Sequence, residues 1–479
     1  MNQIRLAACG WAILLVVARS VSAADALVAD AAEEQNSAMI QTLLEQKANV
    51  NAPQADGMTA VHWAVYYDNV NTVKQLIAAG ADAKAATRYG VTPLSLACTN
   101  GNTAIVEMLL ESGADANSTL PGGETALMTA SRTGRLGPVK GLISHGADVN
   151  ARERKGQTAL MWAAADGHVE VVDALLKAGA DFRTPLPSGF TPLFFAVREG
   201  RKDVVLRLLE AGIKVNDPMW PERKNVKASS PLILAVENGH FELAADLLKA
   251  GADPNDRPSG YAALHAITWV RKPIRGDGDP PPIGSGNMNS LDLVRQLVAH
   301  QADVNIRLEK GESGRGRFTT TGSTPFLLAA RTADISLMRL LLELKADPRL
   351  SNADNSTPLL AAAGVGALGD GDEAAGTEEE AVEAAKLLLE LGADINAVDH
   401  NGETAMHGAA YQDRPRFVQL LADRRADINV WNRKNKWGWT PLLIAQGHRP
   451  GNFRPAPDSI AAIERVMQAA GVKRDPGQD

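Results

Sequence analysis

The sequence predicts an all-α solenoid, in which about twelve helix–turn–helix repeats stack on one another. Two observations lead to this fold class: an internal repeat with a step of 33 residues, and two short apolar runs at helical spacing within each repeat. Length and composition agree with it. The 479 residues exceed the ~250–300 at which a single core usually stops growing, and only 5% of them are aromatic.

The repeat is visible in two sets of identical residues that keep the same spacing. The first set consists of threonines that open a similar phrase: Thr59, Thr92, Thr125, Thr158 and Thr191. The second set consists of glycines with the same step: Gly80, Gly113, Gly146, Gly179 and Gly212. One helix pair of this size cannot bury both of its apolar faces, so we expect neighbouring pairs to stack and share a continuous core.

Each repeat carries helix start and stop signals, which are clearest in residues 90–117. Residues 90–94 read Gly-Val-Thr-Pro-Leu, where the threonine hydroxyl can cap a helix start and proline fits the first turn. We expect a first helix over residues 94–100 and a second near residues 103–112, each ended by a glycine. The Ala-Asp-Ala-Asn run that follows predicts a turn, because Asp and Asn bond readily to nearby backbone.

These phrases resemble those of the ankyrin-repeat family. Residues 57–62 (Gly-Met-Thr-Ala-Val-His), 189–193 (Gly-Phe-Thr-Pro-Leu) and 323–326 (Ser-Thr-Pro-Phe) are similar to its T-P-L-H motif. Residues 146–151 (Gly-Ala-Asp-Val-Asn-Ala) and 392–397 (Gly-Ala-Asp-Ile-Asn-Ala) resemble its closing turn. The resemblance covers roughly residues 24–471. It implies paired antiparallel helices with a row of finger turns, and a partner that meets the concave side.

The predicted organisation has a signal peptide at residues 1–23, one solenoid at residues 24–471 and a disordered tail at residues 472–479. Residues 24–52 lack the T-P-L-H phrase and are polar, as expected of a terminal cap repeat. The less regular later units open near Ser230, Ala263, Thr324, Thr357, Thr404 and Thr440. Four irregular inserts are expected: residues 217–229 and 307–322 enlarge fingers, and residues 271–289 and 364–377 fall between the two helices of a unit.

Residues 1–23 have the features of a secretory signal. Arg5 gives a short positive start, residues 6–18 form an apolar run, and residues 21–23 (Val-Ser-Ala) are a small-residue cleavage site. We therefore expect an exported chain that begins at Ala24, in the periplasm or outside the cell.

The two cysteines bear on this interpretation. Residues 6–9 (Leu-Ala-Ala-Cys) resemble a bacterial lipoprotein box, which would make Cys9 a lipid anchor, but such a box normally ends the apolar run. We expect cleavage after residue 23 instead, which leaves Cys98 as the one cysteine of the mature chain. Cys98 lies in an apolar helical run and is predicted to be buried and inert.

The sequence offers no constellation for catalysis, a cofactor or a metal, so we predict a protein that is not an enzyme. It contains no H-E-x-x-H motif, Cys/His cluster, G-x-S-x-G elbow or dinucleotide fingerprint. The resemblance implies that His62, His265 and His407, in the fourth place of the T-P-L-H phrase, make structural hydrogen bonds. The glycines of residues 311–316 lack the G-K-[ST] ending of a phosphate loop. A net charge of −7 argues against nucleic acid as a partner.

We predict a partner-binding surface at the positions that the ankyrin family exposes, which are the ends of the first helices and the finger tips. Aromatic and arginine side chains, the residue types that dominate binding hot spots, stand at many of them. The predicted partner-binding residues are Tyr66, Tyr67, Tyr89, Arg132, Phe190, Arg198, Trp220, Trp269, Arg331, Tyr411, Trp437 and Trp439. Trp63 and Trp162 are predicted to be core. Acidic residues lie among the arginines, which favours a protein or peptide partner over a polyanion.

The leading hypothesis is a monomeric interaction scaffold of the bacterial periplasm or cell surface. It binds a partner protein or peptide through the concave groove and the enlarged fingers. Two alternatives stay open. One is a secreted effector that acts on host proteins. The other is an enzyme with a site in the irregular inserts near Trp220, Trp269 and Arg315, which would require converging polar groups there.

Overall fold

The computed structural model describes residues 26–219, 228–272, 282–311, 318–367, 376–448 and 454–472. The chain divides into two compact units, one ending at Ile213 and the other beginning at Lys214. Each unit is built from pairs of short helices joined by turns. The single continuous solenoid expected over residues 24–471 stays a prediction, and residues 1–23 lie outside the described residues.

The first unit contains six helix pairs, each with an inner helix followed by an outer helix. The helices are α1 (Leu27–Glu33), α2 (Ser37–Glu45), α3 (Ala60–Tyr66), α4 (Val70–Ala78), α5 (Pro93–Asn100), α6 (Thr103–Glu111), α7 (Ala126–Thr133), α8 (Leu136–Ser144), α9 (Ala159–Asp166), α10 (Val169–Lys177), α11 (Pro192–Arg198) and α12 (Lys202–Glu210). The predicted helices over residues 94–100 and 103–112 are confirmed by α5 and α6 to within one residue at each end.

The described residues of the second unit form six further pairs and one short extra helix. These are α13 (Pro231–Glu237), α14 (Phe241–Lys249), α15 (Ala263–Arg271), α16 (Ser290–Ala299), α17 (Pro325–Arg331), α18 (Ile335–Glu343), α19 (Pro358–Ala363), α20 (Glu378–Glu390), α21 (Ala405–Tyr411), α22 (Pro415–Asp423), α23 (Ile428–Trp431), α24 (Pro441–Ala445) and α25 (Pro457–Ala469). The prediction of about twelve helix–turn–helix repeats is thereby confirmed. The single-turn helix α23 was not predicted; Asp427 caps its start, and it buries Trp431.

Most inner helices begin directly after the threonine or serine of the repeat phrase, and in several of them its hydroxyl caps the first turn. Thr92 accepts a hydrogen bond from the backbone N–H of Ser95 at 3.1 Å, and Pro93 occupies the first position of α5. The helix ends at Gly101, whose φ of 75° is in the left-handed region.

Some repeats lack a glycine at the residue that ends the inner helix. Asp68, Ala333 and Asp413 stand there with φ values of 55°, 49° and 49°. A left-handed conformation costs a residue with a side chain roughly 1–2 kcal/mol. The stacking of neighbouring repeats therefore fixes the turn even where the local sequence disfavours it.

The core of each unit runs between the stacked pairs. In the third pair of the first unit, Ala97 and Cys98 of the inner helix and Ile105, Val106 and Leu109 of the outer helix are fully buried. Small residues on the inner helix let adjacent inner helices approach closely, and the larger aliphatic residues of the outer helices fill the other side. Cys98 is buried as predicted, and burial raises the pKa of its thiol to about 12.

Asparagine side chains tie the turns of successive repeats together. The Nδ2 of Asn117 donates to the Gly146 carbonyl at 3.0 Å, and its Oδ1 accepts from the Asp148 N–H at 2.8 Å. Asn51 and Asn150 make the same pair of bonds to the next turn, and we call the series the asparagine ladder. These bonds fix the position of each turn relative to the turn of the next repeat.

The finger turns are joined in a similar way. The N–H of Arg88 donates to the Asp56 carbonyl of the preceding finger at 3.0 Å, and the N–H of Arg154 donates to Gly122 at 3.0 Å. The described residues contain two isolated β-bridges within fingers, Thr119 with Thr125 and Met219 with Ser229. In the same residues, no helix combines the length and the apolar character that crossing a membrane requires.

Candidate protein-binding surface

The inner helices of the first unit end along a common edge, where hydrogen bonds tie neighbouring ends together. The Nδ2 of Asn100 donates to the Val65 carbonyl at 2.7 Å, and the Nε2 of His168 donates to the Arg132 carbonyl at 2.9 Å. Aromatic and arginine side chains lie along this edge and on the adjoining fingers. We call this surface the aromatic lane; it consists of Trp63, Tyr66, Tyr67, Tyr89, Arg132, Trp162, Phe190 and Arg198.

Three aromatic rings form one end of the lane. Trp63 stacks on Tyr67 with ring centroids 6.0 Å apart, and Tyr66 meets both rings edge-on at 5.7 and 5.1 Å. Tyr66 is 56% exposed and Tyr67 is 37% exposed. The rings therefore support one another and still present a broad aromatic face to solvent.

A polar network fixes the tryptophan of this trio. The Nε1 of Trp63 donates to the Oε1 of Gln54 at 2.7 Å. The Nε2 of Gln54 in turn donates to Asp30 at 2.8 Å and to Glu33 at 2.7 Å, and both acidic residues belong to α1. One amide thus holds two carboxylates close to the aromatic trio.

Arg132, farther along the lane, lies over the ring of Trp162. Its guanidinium carbon is 4.9 Å from the ring centroid, and one of its nitrogens is 3.7 Å from a carboxylate oxygen of Glu124. Trp162 and Trp63 are half-buried, so the prediction that they are core residues is wrong. Both rings lie where an inner helix adjoins a finger, and an arginine or another aromatic ring covers part of each.

Arg198 is held in the same manner. Its guanidinium carbon is 5.2 and 5.3 Å from the rings of Phe190 and Phe195, and its Nε donates to Glu199 at 2.9 Å. Phe190, at a finger, packs against the buried residues Met161, Leu186 and Phe195. Both arginines therefore combine an aromatic ring with a carboxylate, an arrangement that favours a fixed guanidinium.

Tyr89 is 68% exposed, more than Tyr66 or Tyr67. It stands on a finger, and the guanidinium carbon of Arg88 is 5.9 Å from its ring centroid. The structure therefore places Tyr66, Tyr67, Tyr89, Arg132 and Arg198 at the surface of the first unit, as predicted.

The second unit differs, because two of its predicted binding residues are buried. Tyr411 is 1% exposed, so the prediction of an exposed position is wrong. Its hydroxyl donates to the Oε1 of Glu403 at 2.7 Å, and the Nδ2 of Asn435 donates to the same oxygen at 3.0 Å. Burial raises the pKa of Glu403 to about 8. This cluster stabilises the interior of a finger and offers little side-chain surface to a partner.

Arg331 is the other correction, since it is 9% exposed instead of lying on the surface. The cause is Phe318 of the enlarged finger, whose ring centroid is 4.7 Å from the Arg331 guanidinium carbon. Phe318 packs against Leu327 and Ala361, and its N–H donates to the Gly366 carbonyl at 3.2 Å. Part of the insert at residues 307–322 therefore covers the inner-helix ends of its own unit.

Three further predicted residues of the second unit, Trp269, Trp437 and Trp439, are half-buried. Trp269 meets Tyr261 edge-on with centroids 5.1 Å apart, and the Tyr261 hydroxyl donates to Glu237 at 2.7 Å. Trp437 and Trp439 stack on a finger with centroids 5.9 Å apart.

Comparison with known proteins settles the family. A family model described as ankyrin repeats (3 copies) matches residues 28–120, 85–153, 112–185, 127–219, 184–258 and 373–452. The matched segments cover more than half of the chain. The chain belongs to the ankyrin-repeat family. Ankyrin repeats indicate a scaffold for protein–protein interaction, and no catalytic family is identified.

Relatives of this ankyrin-repeat chain share short segments with it. Inversin of Mus musculus is 37% identical over 86 residues, which are 18% of this chain and 7% of that protein. A putative ankyrin repeat protein of Rickettsia bellii is 26% identical over 145 residues, 30% of this chain and 37% of that protein. Ankyrin repeat domain-containing protein SAT10 of Stachybotrys chartarum is 28% identical over 181 residues, 34% of this chain and 9% of that protein. The similarity thus spans less than a tenth of the length of Inversin.

The ankyrin-repeat histidines make the structural hydrogen bonds that the resemblance implies. In His407, Nδ1 accepts from the Thr404 N–H at 3.2 Å, and Nε2 donates to the Arg433 carbonyl at 3.1 Å. His62 and His265 do the same: Nδ1 accepts from a backbone N–H of its own repeat, and Nε2 donates to a backbone carbonyl of the next repeat. Burial lowers the pKa of His265 and His407 to about 4, so both are neutral at pH 7.

The catalytic and metal alternatives were also compared with the structure. Trp220 and Arg315, offered for binding or for a catalytic insert, lie outside the described residues. Within the described ranges, no group of three or more His, Cys, Asp or Glu side chains could hold a metal ion.

Sequence reasoning missed three contributors to the ankyrin-repeat surface: Asp30, Glu33 and Gln54. The first two were treated only as polar residues of a cap repeat. Their i, i+3 spacing places them on one face of α1, which is a signal that the sequence did contain. Gln54 had no such signal, because its role depends on a finger that returns to that face.

Proposed function

We propose that this ankyrin-repeat protein is a protein–protein interaction scaffold that is exported to the bacterial periplasm or cell surface. It binds a partner protein or peptide through the aromatic lane of its first unit. The observation that carries this proposal is the exposed aromatic trio of Trp63, Tyr66 and Tyr67. A continuous aromatic face in contact with water is unfavourable unless a ligand covers it.

The second unit supports the choice of the lane. There, two residues at the corresponding helix ends are engaged within the chain itself. Tyr411 donates a hydrogen bond to Glu403, and Phe318 covers Arg331. In the first unit, Tyr66 and Tyr67 make ring contacts with each other and with Trp63, and they remain exposed. The lane is thus the better candidate for the partner surface, and the enlarged fingers are a secondary one.

Export is supported by residues 1–23, which combine a basic start, an apolar run and a small-residue cleavage site. Osmotic-shock fractionation of the native host tests it: the full chain is expected in the envelope fraction, and a chain without residues 2–23 in the cytoplasm. Retention of both forms in the cytoplasm would overturn the location and leave the binding proposal to be judged separately.

Capture from the native envelope fraction tests binding. The chain from residue 24 is used as bait beside a lane variant and a control variant with substitutions on exposed outer-helix residues. The lane variant carries Tyr66→Ala, Tyr67→Ala, Tyr89→Ala and Arg132→Ala. The control variant carries Lys74→Ala, Glu107→Ala and Lys140→Ala.

We expect one enriched protein that the parent and the control variant retain and that the lane variant loses. Thermal melts establish that the variants are folded. Each control substitution should change the free energy of unfolding by less than about 0.5 kcal/mol, and each lane substitution that removes a ring contact by about 0.5–1.5 kcal/mol. Equal retention by the lane variant would exclude the lane as the binding surface.

A further inference from the structure

The arginines of the first unit reveal a recurring arrangement. Arg132 lies 4.9 Å from the Trp162 ring centroid with Glu124 at 3.7 Å, and Arg198 lies 5.2 Å from the Phe190 ring centroid with Glu199 at 2.9 Å. Each guanidinium thus has an aromatic face below it and a carboxylate at its edge. Such a site uses both the quadrupole of the ring and the opposite charge.

The trio of Trp63, Tyr66 and Tyr67 offers the same aromatic surface without the cation. Among the described residues, no lysine or arginine of this chain lies over any of these three rings. Arg88, on a neighbouring finger, lies beside Tyr89 instead. The exposed faces of Tyr66 and Tyr67 are therefore available to a cation from another molecule.

The carboxylates of this arrangement are present as well. Asp30 and Glu33 are joined to Trp63 through Gln54, at 2.8 and 2.7 Å from its Nε2. Asp68 follows Tyr67 directly and accepts a hydrogen bond from Asn102 at 2.8 Å. Within the part of the chain that the structure describes, none of these three carboxylates has an ion-pair partner.

We propose that this end of the lane binds an arginine side chain carried by an extended basic segment of the partner protein. We name it the aromatic–acidic patch, formed by Asp30, Glu33, Trp63, Tyr66, Tyr67 and Asp68. The guanidinium stacks on the exposed tyrosine rings, and its N–H groups donate to the carboxylates. Arg132 and Arg198 are placed in the same way against a ring and a carboxylate of this chain. This inference rests on the proposed function and specifies the chemistry of its partner.

An arginine fits the patch better than a lysine for two reasons. The planar guanidinium can stack on an aromatic face and still donate in its plane to a carboxylate, whereas an ammonium is a compact and strongly hydrated charge. In addition, the two internal arrangements both use arginine.

Fluorescence anisotropy with a labelled peptide tests the proposal on the chain from residue 24. The probe is Gly-Arg-Gly-Arg-Gly-Arg-Gly, and its counterpart carries citrulline, which has the shape of arginine without the charge, at all three positions. A third peptide carries lysine. We expect the citrulline peptide to bind at least tenfold more weakly than the arginine peptide, and the lysine peptide to bind with intermediate affinity.

Two variants of equal charge locate the site. Asp30→Asn with Glu33→Gln removes two carboxylates from the patch, and Glu107→Gln with Glu111→Gln removes two from exposed positions of α6. The patch variant should weaken binding of the arginine peptide about tenfold, and the α6 variant less than twofold. Tyr66→Ala with Tyr67→Ala should also weaken binding about tenfold. Circular dichroism melts of each variant show whether the fold is retained.

Three results would overturn the proposal: equal binding of the arginine and citrulline peptides, equal weakening by the patch and α6 variants, or no effect of the tyrosine substitutions. If any of these results is obtained while an envelope protein is still captured through the lane, the scaffold function stands and only the proposed arginine binding is wrong. Loss of both would remove the proposed function itself.

Discussion

Glu403 is the buried residue whose ionisation most affects the second unit. Its carboxylate is 1% exposed, accepts from Tyr411 and Asn435, and lies in a finger beside Asp399. Burial raises the pKa of Glu403 from 4.5 to about 8 in the folded chain. Since the folded state holds a proton that the unfolded state releases, this group stabilises the fold fully below pH 4.5 and loses that effect as the pH rises toward 8.

Glu403→Gln should therefore make the second unit more resistant to unfolding at pH 8 and leave it nearly unchanged at pH 4.5. The difference from the parent should grow with pH by at most about 1.4 kcal/mol per unit. Urea unfolding at several pH values measures it. Comparing variant with parent cancels the acid sensitivity of His265 and His407, whose lowered pKa values destabilise both proteins below their usual titration range.

The same substitution at an exposed carboxylate, Glu107→Gln, is the control for the removal of one charge. A Glu403→Gln variant that is less stable than the parent at pH 8 would show that Glu403 is ionised and paired in the folded chain.

Within the elements, the asparagine ladder explains how turns keep their register, and Lys84 interrupts it. Lys84, in the closing turn of the second repeat, occupies the place of Asn51, Asn117 and Asn150, and it has no amide oxygen to accept from the Asp115 N–H. The bonds that Asn117 makes to Gly146 and Asp148 show what an asparagine would add there.

Lys84→Asn should stabilise the first unit by about 1 kcal/mol, since a net hydrogen bond contributes roughly 0.5–1.5 kcal/mol and these turns are exposed. Conversely, Asn117→Ala should destabilise it by about 1–2 kcal/mol. Urea midpoints of both variants measure the effect. No change in either variant would show that the ladder is incidental to stability.

The enlarged finger is the second element with a testable role. Phe318 is 4% exposed, and its backbone donates to Gly366. Phe318→Ala should lower the free energy of unfolding by about 3–5 kcal/mol, because the ring is buried against Leu327 and Ala361. Hydrogen exchange should rise first in residues 318–322 and their contacts, such as the bond from the Gly322 N–H to Leu308.

Tyr89→Ala, at a residue that is 68% exposed, is the matched control for Phe318→Ala and should change exchange nowhere beyond its own finger. Unchanged protection of residues 318–322 in Phe318→Ala would mean that the finger is held by its polar contacts alone.

At the scale of the whole molecule, the sequence was sufficient for the repeats and insufficient for parts of the surface. The 33-residue step and the cap signals at Thr92 and Gly101 predicted the helix pairs, because each repeat is specified locally. The exposure of Arg331 and Tyr411 was mispredicted because it depends on distant residues, Phe318 and Asn435. The place of a residue in the ankyrin repeat does not show whether another part of the same chain covers that residue.

The same limit applies to the first unit. Tyr66 and Tyr67 could be placed at the surface from their position in the repeat, whereas the half-buried state of Trp63 and Trp162 depends on neighbouring side chains. The acidic residues of the patch could not be assigned from the sequence, because Asp30 and Glu33 are linked to Trp63 only through the contact of Gln54 with α1.

The central claim is that the aromatic lane contacts a partner protein in the cell, and cross-linking in living cells tests it most directly. A photo-activatable phenylalanine derivative replaces Tyr66 in one strain and the exposed outer-helix residue Glu107 in another, in the full chain and the native host. The account predicts a discrete cross-linked product from position 66 that is missing from position 107. A product at position 107 alone, or the same products from both positions, would contradict it.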